Sequence, residues 1–213
     1  DIFADTVCPW CFIGKRRLEE ALAERPQPEM VVRWRTFQLN PAMPEGGMER
    51  QTYLNVKFGG SQNARRVYDT IGETGRAAGL DFRFDRILRT PNTLKSHQLV
   101  HFAADHGDQD ALVERLFRMY FMEGADIGDT EVLADAAEAV GLDREAALDA
   151  LDADDWRETV LREDEQAREA GIQGVPAFVF NGRYALSGAQ DPKVFMQMFD
   201  LAREGVPARE PAE

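Results

Sequence analysis

The chain has 213 residues, of which 44% are hydrophobic and 30% are charged, and its formal net charge at pH 7 is −13. Such a length and composition are typical of a globular protein that buries a core without disulfide bonds, and they exclude a globally disordered chain. The acidic excess lies in residues 105–155, with 16 acidic and 3 basic side chains, so we do not expect a basic surface for nucleic acid.

The sequence shows no sign of membrane insertion or of a secreted disulfide scaffold. No stretch approaches the roughly 18 consecutive apolar residues that a membrane helix needs. Cys8 and Cys11 are the only cysteines, and a single closely spaced pair indicates chemistry rather than cross-linking. An acidic chain with only this pair is compatible with the cytoplasm. Because the sequence starts at Asp1 and not at Met, it carries no information about a targeting segment.

The first 40 residues predict a β-α-β unit. Residues 1–5 indicate a short strand, and residues 12–25 place apolar side chains at helical spacing until Pro26 ends the pattern. Residues 30–37 are rich in β-branched and aromatic side chains, which favours a second strand. We therefore expect two parallel strands joined by a right-handed crossover.

Residues 48–155 predict a helical segment with no convincing strand. The helical runs lie at about 68–78, 93–104, 110–121, 130–140 and 144–151. Thr130 and Asp143 are the predicted N-caps of the last two runs. Glycines stand where helix C-caps are expected, at positions 79, 124 and 141.

The last third predicts a helix, a β-hairpin and a final helix. The first helix covers about 155–170, and Asn181-Gly182 joins strands at 177–180 and 183–186. The final helix runs from Asp191 to about Glu204, and the tail from Val206 is expected to fray.

The order of these elements predicts the fold class: an α/β thioredoxin fold with an all-helical domain inserted after the second strand. The predicted thioredoxin-like domain is discontinuous and covers residues 1–45 and 156–213. The predicted inserted domain covers residues 46–155.

The C-x-x-C motif lies where the first strand gives way to the first helix. Unpaired backbone N–H groups and the positive end of the helix dipole favour a thiolate at such a position. Cys8 is therefore the expected nucleophile, and Cys11, one turn further along, the expected resolving thiol. Pro9 suits the first helical turn, and Trp10 is expected at an exposed rim that contacts the substrate.

Two structural interpretations of the pair are weaker. A disulfide that spans two residues contributes little loop entropy. A zinc site needs two further ligands, and His97 and His101, although spaced i and i+4, have no sequence link to the cysteines. We therefore predict no metal.

Pro176 supports the redox interpretation, because it directly precedes the strand at 177–180. In a thioredoxin order this position faces the cysteines, and a cis proline there would expose the Val175 backbone to an extended substrate segment. A trans proline that merely opens a strand is the alternative.

Several separated motifs resemble the FrnE-like branch of the DsbA family. They are Phe3-Ala4-Asp5, Cys8 to Lys15, Phe37 to Pro41, Asn92-Thr93 through His97, Gly171 to Phe178, and Ser187 to Gln190. The resemblance spans nearly the whole chain. It implies thiol–disulfide oxidoreductase chemistry, an inserted helical domain, and Cys8, Cys11 and Pro176 as the working residues; it also favours the cytoplasm.

The resemblance leaves a second enzyme class open. The same superfamily contains 2-hydroxychromene-2-carboxylate isomerases and kappa-class glutathione transferases, which typically have serine where Cys8 stands. Two cysteines favour dithiol chemistry on protein or peptide partners without a bound cofactor. A glutathione site over Cys8, Val175 and the 187–190 turn is a further expectation, with glutathione as a co-substrate. A peptide-binding module without catalysis is the third alternative.

Four further residues are candidates for supporting roles. Asp5 precedes Cys8 by three positions, so it either acts on the protonation of the cysteine or makes hydrogen bonds at the strand end. His97 is expected, with His101, to line the helical domain or its cleft. Asn40 and Asn92 are expected to shape the groove, on the resemblance alone.

Overall fold

The computed structural model describes residues 1–204, and the β-α-β unit lies at their start. It consists of β1 (Ile2–Ala4), α1 (Pro9–Glu24) and β2 (Trp34–Thr36). The two strands are parallel, with Ile2 opposite Trp34. The predicted second strand at residues 30–37 is too long, because only the three residues that face β1 are paired.

The segment that follows is mainly helical. Its regular elements are β3 (Met48–Glu49), α2 (Arg50–Phe58), α3 (Ser61–Ala77), a 3₁₀ turn (Phe84–Arg86), β4 (Arg89–Thr90), α4 (Leu94–His106), α5 (Gln109–Arg118), a π-helical turn (Met119–Glu123), α6 (Thr130–Ala139) and α7 (Arg144–Asp152). The helix α2 and the first turns of α3 were not predicted, because their exposed polar surface gives little apolar periodicity.

Two expectations for this segment are wrong. The antiparallel pair of β3 and β4 contradicts the absence of strands, although a two-residue ladder is too short to leave a sequence pattern. Gly47 permits this pairing, because its φ is +69° and an added Cβ would lie 2.7 Å from the Thr90 carbonyl oxygen. The N-cap of α6 is Asp129 instead of Thr130, since the Asp129 carboxylate accepts hydrogen bonds from the backbone N–H groups of residues 131 and 132.

The C-terminal elements complete one four-stranded sheet. They are α8 (Asp154–Glu169), β5 (Ala177–Phe180), β6 (Tyr184–Ser187) and α9 (Pro192–Glu204), and the strand order is β2-β1-β5-β6. Asn181 and Gly182 both have positive φ, as the predicted hairpin turn requires. The thioredoxin fold with a helical insertion is confirmed. The tail expected to fray from Val206 lies outside the described residues.

Side chains of the helices cover the outer edge of β2. The backbone N–H groups of Trp34, Thr36 and Gln38 donate to side-chain oxygens. The acceptors are Gln109 on α5 and the neighbouring carboxylates Glu163 and Asp164 on α8, at 2.8, 2.6 and 2.7 Å. This arrangement protects an edge that another strand could otherwise extend, and it fixes both helices to the sheet.

The sheet part and the helical part share a core. Phe12 on α1 stacks on Phe117 of α5, with ring centroids 5.0 Å apart. Beside this contact the buried Lys15 ammonium lies 3.0 Å from Asp110 Oδ2. The domain boundaries at 45/46 and 155/156 stay predictions. Within residues 1–204, no helix has the length and apolar character needed to cross a bilayer.

Candidate active site

The two cysteines lie at the N-terminus of α1 as free thiols. Cys8 is the extended N-cap residue, with φ −94° and ψ 108°, and its carbonyl oxygen accepts from the Cys11 N–H at 3.0 Å. Pro9 follows in the first turn, where its missing N–H leaves no unpaired donor. Cys8 is 3% and Cys11 1% exposed. Both sulfurs therefore lie at the positive end of the helix dipole, in surroundings that exclude most water.

The surroundings of Cys11 favour the protonated thiol. Burial raises the pKa of the Cys11 thiol well above its usual value, and a hydrogen bond to Cys8 and the negative charge of the Cys8 thiolate raise it further. A hydrogen bond from the backbone N–H of Asp5 opposes this shift only in part. Cys11 consequently holds its proton, as the sulfur that attacks second in a disulfide exchange can.

The Val175–Pro176 peptide bond is cis and faces Cys8. The Cys8 thiol donates to the Val175 carbonyl oxygen, with 3.6 Å between sulfur and oxygen. Gly14 on α1 makes this approach possible, since a Cβ there would lie 3.1 Å from Pro176 Cγ and 3.1 Å from Phe178 Cζ. The loop is held from the other side by a 2.8 Å hydrogen bond from the Gly188 N–H to the Pro176 carbonyl oxygen.

Asp5 and His97 form a buried pair beside the cysteines. Asp5 is 0% and His97 3% exposed. One Asp5 oxygen accepts from the Leu39 N–H at 2.7 Å, and the other lies 3.5 Å from His97 Nε2. That imidazole nitrogen has no hydrogen bond of good geometry within the described chain. The Asp5 carbonyl oxygen also accepts from the Cys8 N–H at 2.9 Å, so the backbone of Asp5 joins the pair to the start of the C-x-x-C turn.

The remaining predicted residues divide between the cleft and its supports. Trp10 is half-buried and packs against the core next to the cysteines. Asn40 Nδ2 donates to the Tyr53 hydroxyl on α2 at 3.3 Å. Asn92 instead joins two loop segments, because its side chain donates to Met43 O and accepts from the Leu94 N–H.

His101 lies elsewhere. Its Nε2 is 2.9 Å from Glu163 Oε2 and 3.0 Å from Thr36 Oγ1, at the covered edge of β2. Its place is therefore the junction between α4, α8 and the sheet, and the spacing of four residues from His97 has no chemical meaning here.

Three residues near the site were missed by the sequence reasoning: Arg50, Tyr53 and Tyr68. Arg50 is 6% exposed, and its guanidinium carbon lies 5.7 Å from the ring centroid of Tyr53 and 4.9 Å from that of Tyr68. Arg50 and Tyr53 lie in α2 and Tyr68 lies in α3, and no spacing in the sequence shows that these two helices bring the three side chains together.

One sizeable cavity lies away from this chemistry. A cavity of about 840 Å³ lies at the opposite end of β1 and contains none of the predicted site residues. Within residues 1–204, no group of three or more His, Cys, Asp or Glu side chains could hold a metal ion. The short distance between Cys8 Sγ and the Val175 carbonyl oxygen therefore identifies the candidate site better than the volume of this cavity does.

Comparisons with known proteins agree with this geometry. A probable DsbA oxidoreductase from Streptomyces coelicolor is 32% identical, with a TM-score of 0.88 over 100% of this chain and 92% of that one. The uncharacterized protein YwbO of Bacillus subtilis is 27% identical over 195 residues, which are 91% of this chain and 92% of that protein. The cytosolic disulfide reductase DsbM of Pseudomonas aeruginosa, solved with GSH, shares the fold at 22% identity and a TM-score of 0.66, over 95% of this chain and 98% of that one.

The family model agrees with the motifs that suggested the DsbA resemblance. It is described as a DSBA-like thioredoxin domain, and it matches residues 1–200. Since the match includes both halves of the sheet and the helical segment between them, this chain belongs to the family of DSBA-like thioredoxin domains.

Proposed function

We propose that this protein is a thiol–disulfide oxidoreductase in which Cys8 attacks the substrate and Cys11 resolves the intermediate. The observation that carries the proposal is the position of Cys8. Its sulfur lies at the N-terminus of α1 and 3.6 Å from the carbonyl oxygen that precedes the cis proline. The family and the 32% identical DsbA oxidoreductase support the same chemistry.

In the reducing direction the reaction has two exchanges. The Cys8 thiolate attacks one sulfur of a substrate disulfide, and the other substrate sulfur leaves as a thiolate. Cys11 then loses its proton and attacks Cys8 Sγ, so that the Cys8–Cys11 bond forms and the second substrate thiolate leaves. Two electrons pass from the protein to the substrate. The reverse sequence oxidises a substrate dithiol, and the reduction potential decides which direction prevails.

The rim around Cys8 is suited to an extended substrate. The Val175 N–H donates no hydrogen bond within residues 1–204, so it is available to the backbone of a bound peptide or of glutathione. Pro176 holds this backbone against α1, while Pro9 and the half-buried Trp10 are the proposed contacts on the helix side. Hydrogen bonds to the Val175 backbone would orient a bound peptide along the cleft.

The Asp5–His97 pair is the proposed acceptor of the Cys11 proton. Burial holds that proton on Cys11, yet the second exchange requires the thiolate. The Asp5 carboxylate is buried, its charge adds to the rise in the pKa of Cys11, and it lies 3.5 Å from an imidazole nitrogen that has no hydrogen bond of good geometry within residues 1–204. A proton accepted by Asp5 can therefore be shared with His97.

The proposal includes glutathione as a partner and the cytoplasm as the location of the protein. The name of DsbM describes a cytosolic disulfide reductase, and one of its structures was solved with GSH. Glutathione is a tripeptide thiol, so its sulfur can react with Cys8 while its backbone forms hydrogen bonds with Val175. Protein disulfides are the alternative partner class.

Insulin reduction with wild type and Cys8→Ser tests the proposal. Wild type should catalyse the reduction and Cys8→Ser should not, while an exposed substitution such as Arg65→Met should behave as wild type. Equal activity of wild type and Cys8→Ser would refute the proposal. Glutathione-dependent turnover of an aromatic substrate that survives Cys11→Ser would favour the isomerase or transferase instead.

A further inference from the structure

Arg50 is a buried cation without an acidic partner. It is 6% exposed, and within residues 1–204 none of its guanidinium nitrogens lies within 4 Å of a carboxylate oxygen. Arginine keeps its charge at any ordinary pH. Buried charges in proteins are normally paired, because transfer of an unpaired charge from water is costly.

The groups around Arg50 are neutral. Its Nη1 donates to Thr90 Oγ1 at 3.0 Å and to the Tyr120 hydroxyl at 3.5 Å. The rings of Tyr53 and Tyr68 flank the guanidinium. Burial raises the pKa of all three tyrosines, so none of them supplies a negative charge near pH 7.

Part of the Arg50 guanidinium is accessible to solvent. Nε and Nη2 make no hydrogen bond of good geometry within the described residues, and neither is among the buried polar atoms without a partner. Arginine has five N–H donors. Several of them therefore reach a solvent-accessible space on the side that Thr90 and Tyr120 do not occupy.

A short series of contacts links Arg50 to the Cys8 cleft. Tyr53, which flanks Arg50, contacts Asn40 in the loop that follows β2. In the same loop the Leu39 N–H donates to Asp5 Oδ2 at 2.7 Å, and the Asp5 carbonyl oxygen accepts from the Cys8 N–H at 2.9 Å. Tyr53, the loop after β2 and Asp5 therefore connect the Arg50 guanidinium with the start of the C-x-x-C turn.

We infer that Arg50 forms a carboxylate subsite of the Cys8 cleft, and that its occupant is a small peptide thiol or disulfide such as glutathione. The inference rests on the proposed function. Because Arg50 as a residue is 6% exposed, its guanidinium is reached by a slim, extended molecule and not by the surface of a folded protein. Glutathione carries its sulfur and two carboxylates on one tripeptide, which satisfies Cys8 and Arg50 together.

The test compares glutathione disulfide with its ethyl ester, in which the carboxylates are blocked. The reduced protein, freed of reductant, is mixed with each disulfide, and the rate constant of its oxidation is measured by acid quench and mass spectrometry. Wild type should react with the acid form about 10- to 100-fold faster than with the ester, the usual range for a hydrogen bond to a charged group. The net charge of −13 acts in the opposite sense, because it favours the ester.

Substitutions assign this preference to Arg50. Arg50→Met should lower the rate with the acid form to that with the ester and leave the ester rate unchanged. Arg50→Lys, which keeps the charge without the planar fork, should be intermediate. Arg65→Met is the matched control, since Arg65 is exposed on the neighbouring helix α3, and it should retain the preference of wild type.

The outcomes separate this inference from the proposed function. An acid-to-ester ratio that is the same in Arg50→Met and wild type would overturn the subsite. So would a wild type that reduces insulin but reacts equally with both glutathione disulfides or with neither. If wild type reduces neither insulin nor any glutathione disulfide, the proposed function itself fails. An Arg50→Met protein that does not fold loses reaction with the ester too, and the wild-type ratio and Arg50→Lys then decide.

Discussion

Gly14→Ala tests whether the contact between α1 and the cis-proline loop sets the rate of disulfide exchange. The new Cβ would lie 3.1 Å from Pro176 Cγ and 3.1 Å from Phe178 Cζ, where ordinary contacts begin at 3.4 Å. Phe178 is 2% exposed, so it cannot swing away. Overpacking costs about 1–3 kcal/mol, and alanine in a helix recovers about 1 kcal/mol. We expect the free energy of unfolding to fall by about 0–2 kcal/mol.

The effect on the reaction should be larger than the effect on stability. To relieve the contact, Pro176 and Val175 must move away from Cys8 by a few tenths of an ångström. Because misplacement by about 1 Å can cost about 100-fold in rate, we expect the rate of reaction with a peptide disulfide to fall about tenfold. The assay is single-turnover oxidation of the reduced protein, together with urea unfolding.

Gly72→Ala is the matched control. Gly72 lies within α3, and an added Cβ would meet only the flexible end of Arg76, at 3.5 Å. This variant should be more stable by up to about 1 kcal/mol and react at the wild-type rate. If Gly14→Ala gains stability as Gly72→Ala does, and also reacts at the wild-type rate, the reasoning about this contact is wrong.

Three further predictions concern the supports of the site. Burial raises the pKa of Glu163, but the hydrogen bonds from His101 and the Thr36 N–H outweigh it and lower the pKa to about 2; the resulting stability is complete above about pH 4.5 and lost as the pH falls toward 2. Glu163→Gln should therefore lower the free energy of unfolding by about 1–2 kcal/mol at pH 7, after allowance for solvent screening, and a difference that stays constant down to pH 2.5 would contradict this. Asp5→Asn should slow the second exchange at least about 100-fold at neutral pH, and less at high pH, while the first attack by Cys8 is unchanged; mass spectrometry of the mixed disulfide measures this, and equal slowing of both steps would count against it. Gln109→Ala should lower the free energy of unfolding by about 1–3 kcal/mol in urea, because the Trp34 backbone loses both of its partners, and an unchanged midpoint would show that this edge does not need them.

Local signals made part of the fold predictable. Asn181-Gly182 requires two positive φ angles, which few other residue pairs accept, so the hairpin follows from two residues. The C-x-x-C motif and Pro176 are local signals of the same kind. The motif marks the N-terminus of α1, and the proline marks the residue before β5. The β3–β4 pair had no such signal, since a two-residue ladder has no period.

Contacts between distant segments were not predictable. Asp5 and His97 are 92 positions apart, and only the packing of α4 against the end of β1 brings them together. Arg50 is charged and stands in a polar stretch, which favours an exposed interpretation until the tyrosine rings around it are seen. A single sequence, taken alone, contains no signal that links positions so far apart.

Trapping of the mixed disulfide tests the central claim most directly. Cys11→Ser and Cys8→Ser are each reduced, mixed with glutathione disulfide, quenched with acid and weighed intact by mass spectrometry. Cys11→Ser should accumulate one covalently bound glutathione on Cys8, whereas Cys8→Ser should react far more slowly, because the remaining Cys11 is buried and holds its proton. Equal adduct formation by the two variants, or a faster reaction of Cys8→Ser, would contradict the assignment of Cys8 as the nucleophile.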